Sequence, residues 1–163
     1  MKPAAEKVQT AIRELGLARE VIELAAHART SQQAADALGV GVGQIAKSLI
    51  FTVNGSPLLV IASGANRVDE AKLGRLLGGT VRRADPETVR QATGYAIGGV
   101  PPLGHPTSLP TYIDPDLLKH ALIYAAAGVP ECVFPLTPEE LVRGTGGRVA
   151  DIKEAAVDGP HGG

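Results

Sequence analysis

The run Ile45-Ala46-Lys47-Ser48-Leu49-Ile50-Phe51-Thr52-Val53 is followed by Asn54-Gly55 and then by a second apolar run, Pro57 to Ala62. Both runs are rich in aliphatic and β-branched residues, and Asn-Gly between two such runs is the strongest short-range signal for a β-hairpin. The middle of the chain is therefore predicted to form a hairpin, and the other elements are predicted to pack around it.

Helices and further strands are predicted on both sides of this hairpin. Apolar positions recur at helical spacing from Ala4 to Leu15, and Thr30 or Ser31 can cap a second helix over Gln32 to Leu38. The remaining signals predict helices at 68–77, 86–92 and 138–143, and strands at 80–83, 111–113, 121–126, 132–135 and 149–152. Because the two types are interspersed without a regular βαβ repeat, we expect a compact α+β domain built on a mixed sheet.

The size and composition of the chain favour one domain. Its 163 residues, 44% of them hydrophobic, can form a single core. The domain is predicted to cover residues 1–156, with a flexible tail at 157–163. Neither a signal peptide nor an apolar run of membrane-spanning length is present, so we expect a cytoplasmic protein that does not contact a membrane. Cys132 is the single cysteine, and it is predicted to be a buried strand residue.

Charge and aromatic content restrict the nucleic-acid partners. Sixteen Lys and Arg against seventeen Asp and Glu give a net charge of −1, and aromatic residues make up only 3% of the chain. Non-specific DNA binding needs a broad positive field, and binding of single strands uses aromatic platforms. DNA is therefore not an expected partner. RNA contacts must be local, with Lys72, Arg75, Arg82 and Arg83 as candidates, unless these residues are ordinary solvated charges.

Two features of the sequence are candidates for chemistry. Lys47 stands in an otherwise apolar strand, where a lysine is usually solvated or protects a sheet edge. The segment Gly98-Gly99-Val100-Pro101-Pro102-Leu103-Gly104-His105-Pro106 combines glycines, which allow close backbone approach, with prolines that stiffen the loop. Such a loop can direct amide N–H groups at a developing oxyanion, although rigid surface turns use the same residues.

Other kinds of site are not supported by the sequence. Gly41 to Ser48 nearly matches a phosphate-binding loop, but a helix is predicted before it and a strand after it, which is the reverse of the required order. No Gly-x-Ser-x-Gly motif is present to anchor a serine triad. Metal-ligand spacing is missing among the four histidines, so no metal and no other cofactor is expected; they are His27, His105, His120 and His161.

In their order and spacing, several segments resemble the YbaK and prolyl-tRNA-synthetase-associated family. They are Thr30-Ser31 with Ala34 to Gly39, Ile45 to Leu49, Gly98 to His105, Gly128-Val129-Pro130, Asp114 to Leu118 and Leu136 to Leu141. The resemblance covers about residues 20–152. It implies a barrel-like mixed sheet flanked by helices, and a freestanding hydrolase that removes a wrongly attached amino acid from tRNA.

The resemblance also implies which residues form the site. The functional lysine would be Lys47, and the substrate-binding residues would be Gly98, Gly99, Val100, Pro101, Gly104, His105, Gly128 and Val129. Several relatives carry a histidine where this chain has Val129, and a hydroxyl residue near Ala126 is missing here. These departures leave the identity of the amino acid open.

The partner implied by the resemblance is the acceptor end of a mischarged tRNA. A tRNA of the proline type carrying a small amino acid, such as alanine or cysteine, is preferred, and prolyl-tRNA synthetase is a further candidate partner. The main alternative is a non-catalytic module of the same fold that binds tRNA or a synthetase.

Overall fold

The computed structural model describes residues 1–25 and 28–155. The helices are α1 (Pro3–Glu14), α2 (Ser31–Leu38), α3 (Glu70–Leu77), α4 (Pro86–Thr93) and α5 (Pro138–Thr145). The strands are β1 (Ile22–Glu23), β2 (Ile45–Val53), β3 (Ser56–Ser63), β4 (Val81–Arg83), β5 (Thr111–Ile113), β6 (Ile123–Ala126), β7 (Cys132–Leu136) and β8 (Arg148–Val149). Short 3-10 turns cover Val42–Gln44 and Pro115–Lys119. The expected tail, residues 157–163, lies outside the described part, as does Ala156.

All eight strands belong to one mixed sheet in the order β1-β7-β6-β2-β3-β5-β8, and β4 pairs additionally with β2. The hairpin is confirmed: β2 and β3 pair antiparallel from Ala46 with Ser63 to Val53 with Ser56. Asn54 and Gly55 both have positive φ, 49° and 86°, as a two-residue hairpin turn requires. The parallel pairs β2–β6 and β3–β5 make the sheet mixed. The predicted α+β class is therefore confirmed.

Side-chain caps fix the starts of α2, α4 and α5 at the places that the sequence indicates. The side chains of Thr30, Asp85 and Thr137 each accept a hydrogen bond from a backbone N–H in the first turn of their helix. Helix α1 buries Ala5, Val8 and Ile12 in the main core. The members of that core are largely Ile, Leu, Val and Ala, and they include the buried Cys132.

Several predicted boundaries differ from the structure, and two of them show the physical reason. Helix α3 begins at Glu70 instead of Val68, because the side chain of Asp69 caps it and Val68 forms a bridge with Lys153. The last strand covers Arg148–Val149 instead of 149–152. The N–H group of Ala150 still donates to the Ile113 carbonyl of β5, and two residues later the carbonyl of Ile152 accepts from the Asp69 backbone N–H. In both places a contact between distant segments overrides the local pattern.

Strand β2 is fully paired only on the side of β3. On its other side, β6 pairs with Ile45 and Ala46, whereas β4 pairs with Phe51 to Val53. The segment between these two partners, residues 47–49, therefore has no strand beside it on this side, which leaves a gap in the sheet.

Candidate active site

A cavity of about 170 Å³ occupies this gap. Strand β2 contributes Lys47 and Ser48, the end of β4 contributes Arg83, and the loop before β5 contributes Gly98 and Val100. The other lining residues come from α2 and its cap, from α4, from β2, β6 and β7, and from the adjoining turns. They are Arg29, Thr30, Ser31, Ala34, Ile45, Ala46, Leu49, Ile50, Ala84, Val89, Ile97, Tyr124, Ala126, Pro130 and Val133. The lining is mostly apolar and, within the described part of the chain, holds cations and hydroxyls but no carboxylate.

Lys47 is half-buried in this cavity. Its pKa lies below the ordinary value, first because burial disfavours the charged form and then because Arg83 and Arg67 repel it; Asp114 acts in the opposite direction. Among residues 1–25 and 28–155, the ammonium group has no hydrogen-bond or ion-pair partner. Its three N–H donors are thus available to a molecule in the cavity.

The first part of the glycine-proline loop lies beside Lys47 in the same cavity. Gly98 and Val100 line it, and Gly98 has a φ of +90°, which favours glycine. Gly99 lies behind this wall, where its carbonyl accepts a hydrogen bond from the Gly128 N–H at 2.8 Å. A Cβ at Gly99 would overlap the carbonyl of Gly128 and approach Val129 Cα to 2.8 Å. Gly99, Gly128 and Val129 thus support the loop and do not line the cavity.

The second part of the loop faces a different cavity. Gly104 and His105 line a space of about 150 Å³ together with Ser108 and Thr111. His105 Nε2 lies 2.7 Å from the carbonyl oxygen of Pro101, so the imidazole donates this bond and carries its proton on Nε2 when neutral. Burial lowers the pKa of His105. The structure therefore does not bring Pro101, Gly104 and His105 together with Lys47, and their role in substrate binding stays a prediction.

The sequence analysis did not identify Ser48 or Ile97 as site residues, and it treated Arg83 only as a surface candidate for RNA. Arg83 lines the cavity, and its guanidinium lies 5.7 Å from the centre of the Phe51 ring. The β2–β4 pairing that positions it is non-local, so no sequence signal could have found it. Lys72, another RNA candidate, forms an ion pair with Asp151 and donates to the Lys153 carbonyl.

The described part of the chain offers neither a metal-ligand cluster nor a membrane-spanning helix. In the described ranges, no group of three or more His, Cys, Asp or Glu residues could hold a metal ion. His27 and His161 lie outside these ranges. No helix of the described residues is long and apolar enough to cross a bilayer.

Comparison with known proteins identifies the family of the chain. The family model for the aminoacyl-tRNA editing domain matches residues 25–143, which include β2, the glycine-proline loop and β6. The chain belongs to the aminoacyl-tRNA editing domain family. This membership confirms the resemblance inferred from Lys47, the loop and the Gly128 turn.

Individual relatives of this editing domain are similar over most of their length. The crystal structure of a protein described as a proposed trans-editing enzyme for prolyl-tRNA synthetase is 49% identical, with a TM-score of 0.92, and covers 95% of this chain and 99% of that one. The uncharacterized protein YwhH of Bacillus subtilis is 32% identical over 83% of this chain and 87% of its own length. EbsC of Enterococcus faecalis, named as a proposed Cys-tRNA(Pro)/Cys-tRNA(Cys) deacylase, is 28% identical over 76% of each chain.

Proposed function

We propose that this editing domain hydrolyses the ester bond of a mischarged aminoacyl-tRNA. The observation that carries the proposal is the Lys47 ammonium group, which is half-buried and without a partner in the described residues, in a cavity bordered by Gly98 and Val100. Membership of the aminoacyl-tRNA editing domain family supports an aminoacyl-tRNA as the substrate that enters this cavity.

The chemistry requires little more than this arrangement. Attack on an aminoacyl ester places negative charge on the carbonyl oxygen, and a preorganised donor stabilises that charge most in the transition state. The Lys47 ammonium supplies a compact charge with three donors. In the family that this chain resembles, a ribose hydroxyl of the substrate itself assists water activation, so the proposed mechanism needs neither a metal nor a catalytic triad.

The proposed substrate carries a small amino acid such as alanine or cysteine on a proline-type tRNA. A synthetase separates amino acids that differ by one methylene by only ~1–3 kcal/mol, so a second pocket that selects on size is needed to correct its errors. The small volume of the cavity and its apolar residue Ala126 support a small side chain. The descriptions of two relatives, one linked to prolyl-tRNA synthetase and one to Cys-tRNA, support this substrate class.

A deacylation panel tests the proposal against the alternative of a binding module. The protein is incubated with tRNA-Pro charged with Ala, Cys, Ser or Thr, and with correctly charged Pro-tRNA as the control, and the released amino acid is measured. We expect catalytic release of at least one small amino acid and little release of proline. Affinity for tRNA without any release would favour the non-catalytic module.

A further inference from the structure

Ser48 lies at the centre of the gap in the sheet. Strand β6 pairs with β2 as far as Ala46, and β4 pairs with β2 from Phe51 onwards, so neither strand reaches Ser48. The cavity fills the space that a paired strand would occupy at this position.

The backbone of Ser48 faces this space. The carbonyl of Ile50 accepts a hydrogen bond from Ala84 N–H at 3.0 Å, so Ile50 directs its backbone groups away from β3. Residues two apart on a strand direct their backbone groups to the same side. The N–H and C=O groups of Ser48 are thus directed into the gap.

The side chain of Ser48 is also without a partner. Its Oγ is withdrawn from solvent and makes no hydrogen bond within the described residues. Among the described residues that line the cavity and carry a hydroxyl, Ser48 is the one whose oxygen is both buried and without a hydrogen bond. A buried hydroxyl without a hydrogen bond destabilises the folded state, so a water or ligand group that supplies the missing bond is favoured at this position.

We propose that Ser48 Oγ accepts a hydrogen bond from the α-amino group of the aminoacyl ester and thereby selects substrates with a free amine. The inference rests on the proposed function, because that function supplies an aminoacyl group to the cavity.

The chemistry of the lining points to this contact. The α-amino group is a donor and is largely protonated at neutral pH, so it needs an acceptor. Lys47 and Arg83 offer only donors, which suit the ester carbonyl and the oxygens of the ribose and phosphates. No carboxylate from the described residues lines the cavity, and the Oγ of Thr30 already accepts from Gln33 N–H. Ser48, which lines the cavity, offers two acceptors, its hydroxyl and its carbonyl.

Binding of two non-hydrolysable probes tests the contact. One probe is 3′-alanylamino-3′-deoxyadenosine, and the other is its propionyl counterpart, which lacks only the α-amine. A hydrogen bond from a charged group predicts that the wild-type protein binds the alanyl probe about 10-fold more tightly in an NMR titration. Ser48→Ala should lose most of this preference, whereas Ser48→Thr, which keeps the hydroxyl, should retain part of it.

Ser31→Ala is the matched control, because Ser31 lines the same cavity and the contact is not assigned to it. Its preference for the alanyl probe should equal that of the wild type. Equal wild-type affinities for the two probes, no detectable binding of the alanyl probe at millimolar concentration, or an unchanged preference in Ser48→Ala would overturn the proposal. Deacylation of Ala-tRNA-Pro by the wild type is measured separately; its absence would count against the proposed function, while the probe comparison still decides the role of Ser48.

Discussion

The N–H group of Gly128 donates a hydrogen bond to the carbonyl oxygen of Gly99 at 2.8 Å. This bond joins the loop that borders the cavity to the turn between β6 and β7. Helix α1 closes the other side of the turn, where a Cβ at Gly128 would lie 2.6 Å from the carbonyl carbon of Ala4. The wall formed by Gly98 and Val100 is therefore held by close backbone packing that only glycines permit.

Gly99→Ala is predicted to destabilise the domain and to lower its hydrolytic rate. The new Cβ would overlap the Gly128 carbonyl, and overpacking of this kind typically costs about 1–3 kcal/mol in the free energy of unfolding. Chemical denaturation measures the free energy of unfolding. Single-turnover deacylation measures how far the displacement of the cavity wall lowers the rate of hydrolysis. Gly41→Ala is the control, because the nearest atom to a Cβ there lies 3.9 Å away. Wild-type stability in Gly99→Ala would show that the wall can move freely.

Much of the fold could be predicted because its signals are local. Asn54-Gly55 specifies the hairpin turn, and Thr30, Asp85 and Thr137 cap helices within a few residues of themselves. The strand order depends on contacts between distant segments and carries no such signal. Strand β1 has only two residues, and it forms by pairing with β7 more than 100 residues later.

The site could be predicted only in part for the same reason. Lys47 and Gly98 were recognised from motifs, and they do line one cavity. The direction in which each loop residue points depends on its packing, so the sequence did not indicate that His105 faces a second cavity. The gap that exposes Ser48 results from β4 and β6 pairing with different parts of β2.

Arg83→Gln is predicted to raise the pKa of Lys47. After burial, repulsion by Arg83 is the next cause of the lowered pKa, and the neutral amide removes it. A titration that follows the Lys47 Cε signal by NMR should therefore show deprotonation at higher pH than in the wild type. Arg82→Gln, a change of the same charge at the neighbouring residue, should have a smaller effect. An unchanged or lower pKa in Arg83→Gln would contradict the electrostatic description of the cavity.

The cavity is predicted to select on side-chain size. Alanyl and cysteinyl esters should be hydrolysed faster than leucyl or phenylalanyl esters of the same tRNA, because the larger side chains exceed the space beside Ala126. Ala126→Val should narrow the pocket and reduce the rate on the cysteinyl ester more than on the alanyl ester. Because valine is favoured in β-strands, the substitution should leave β6 intact. The control is Ala121→Val, the same change at an exposed position outside the cavity. Equal rates for alanyl and phenylalanyl esters would exclude selection by size.

The most direct test of the proposed mechanism is single-turnover deacylation of Ala-tRNA-Pro by Lys47→Ala. Loss of one transition-state donor typically lowers the rate about 10²–10³-fold, and we expect a loss of that size with an unchanged circular dichroism spectrum. Lys47→Arg should restore little activity, because a planar guanidinium does not reproduce a compact ammonium beside Gly98. Arg143→Ala, which removes a charge from the exposed face of α5, should leave the rate unchanged. A near-wild-type rate in Lys47→Ala would contradict the central claim that the Lys47 ammonium stabilises the transition state.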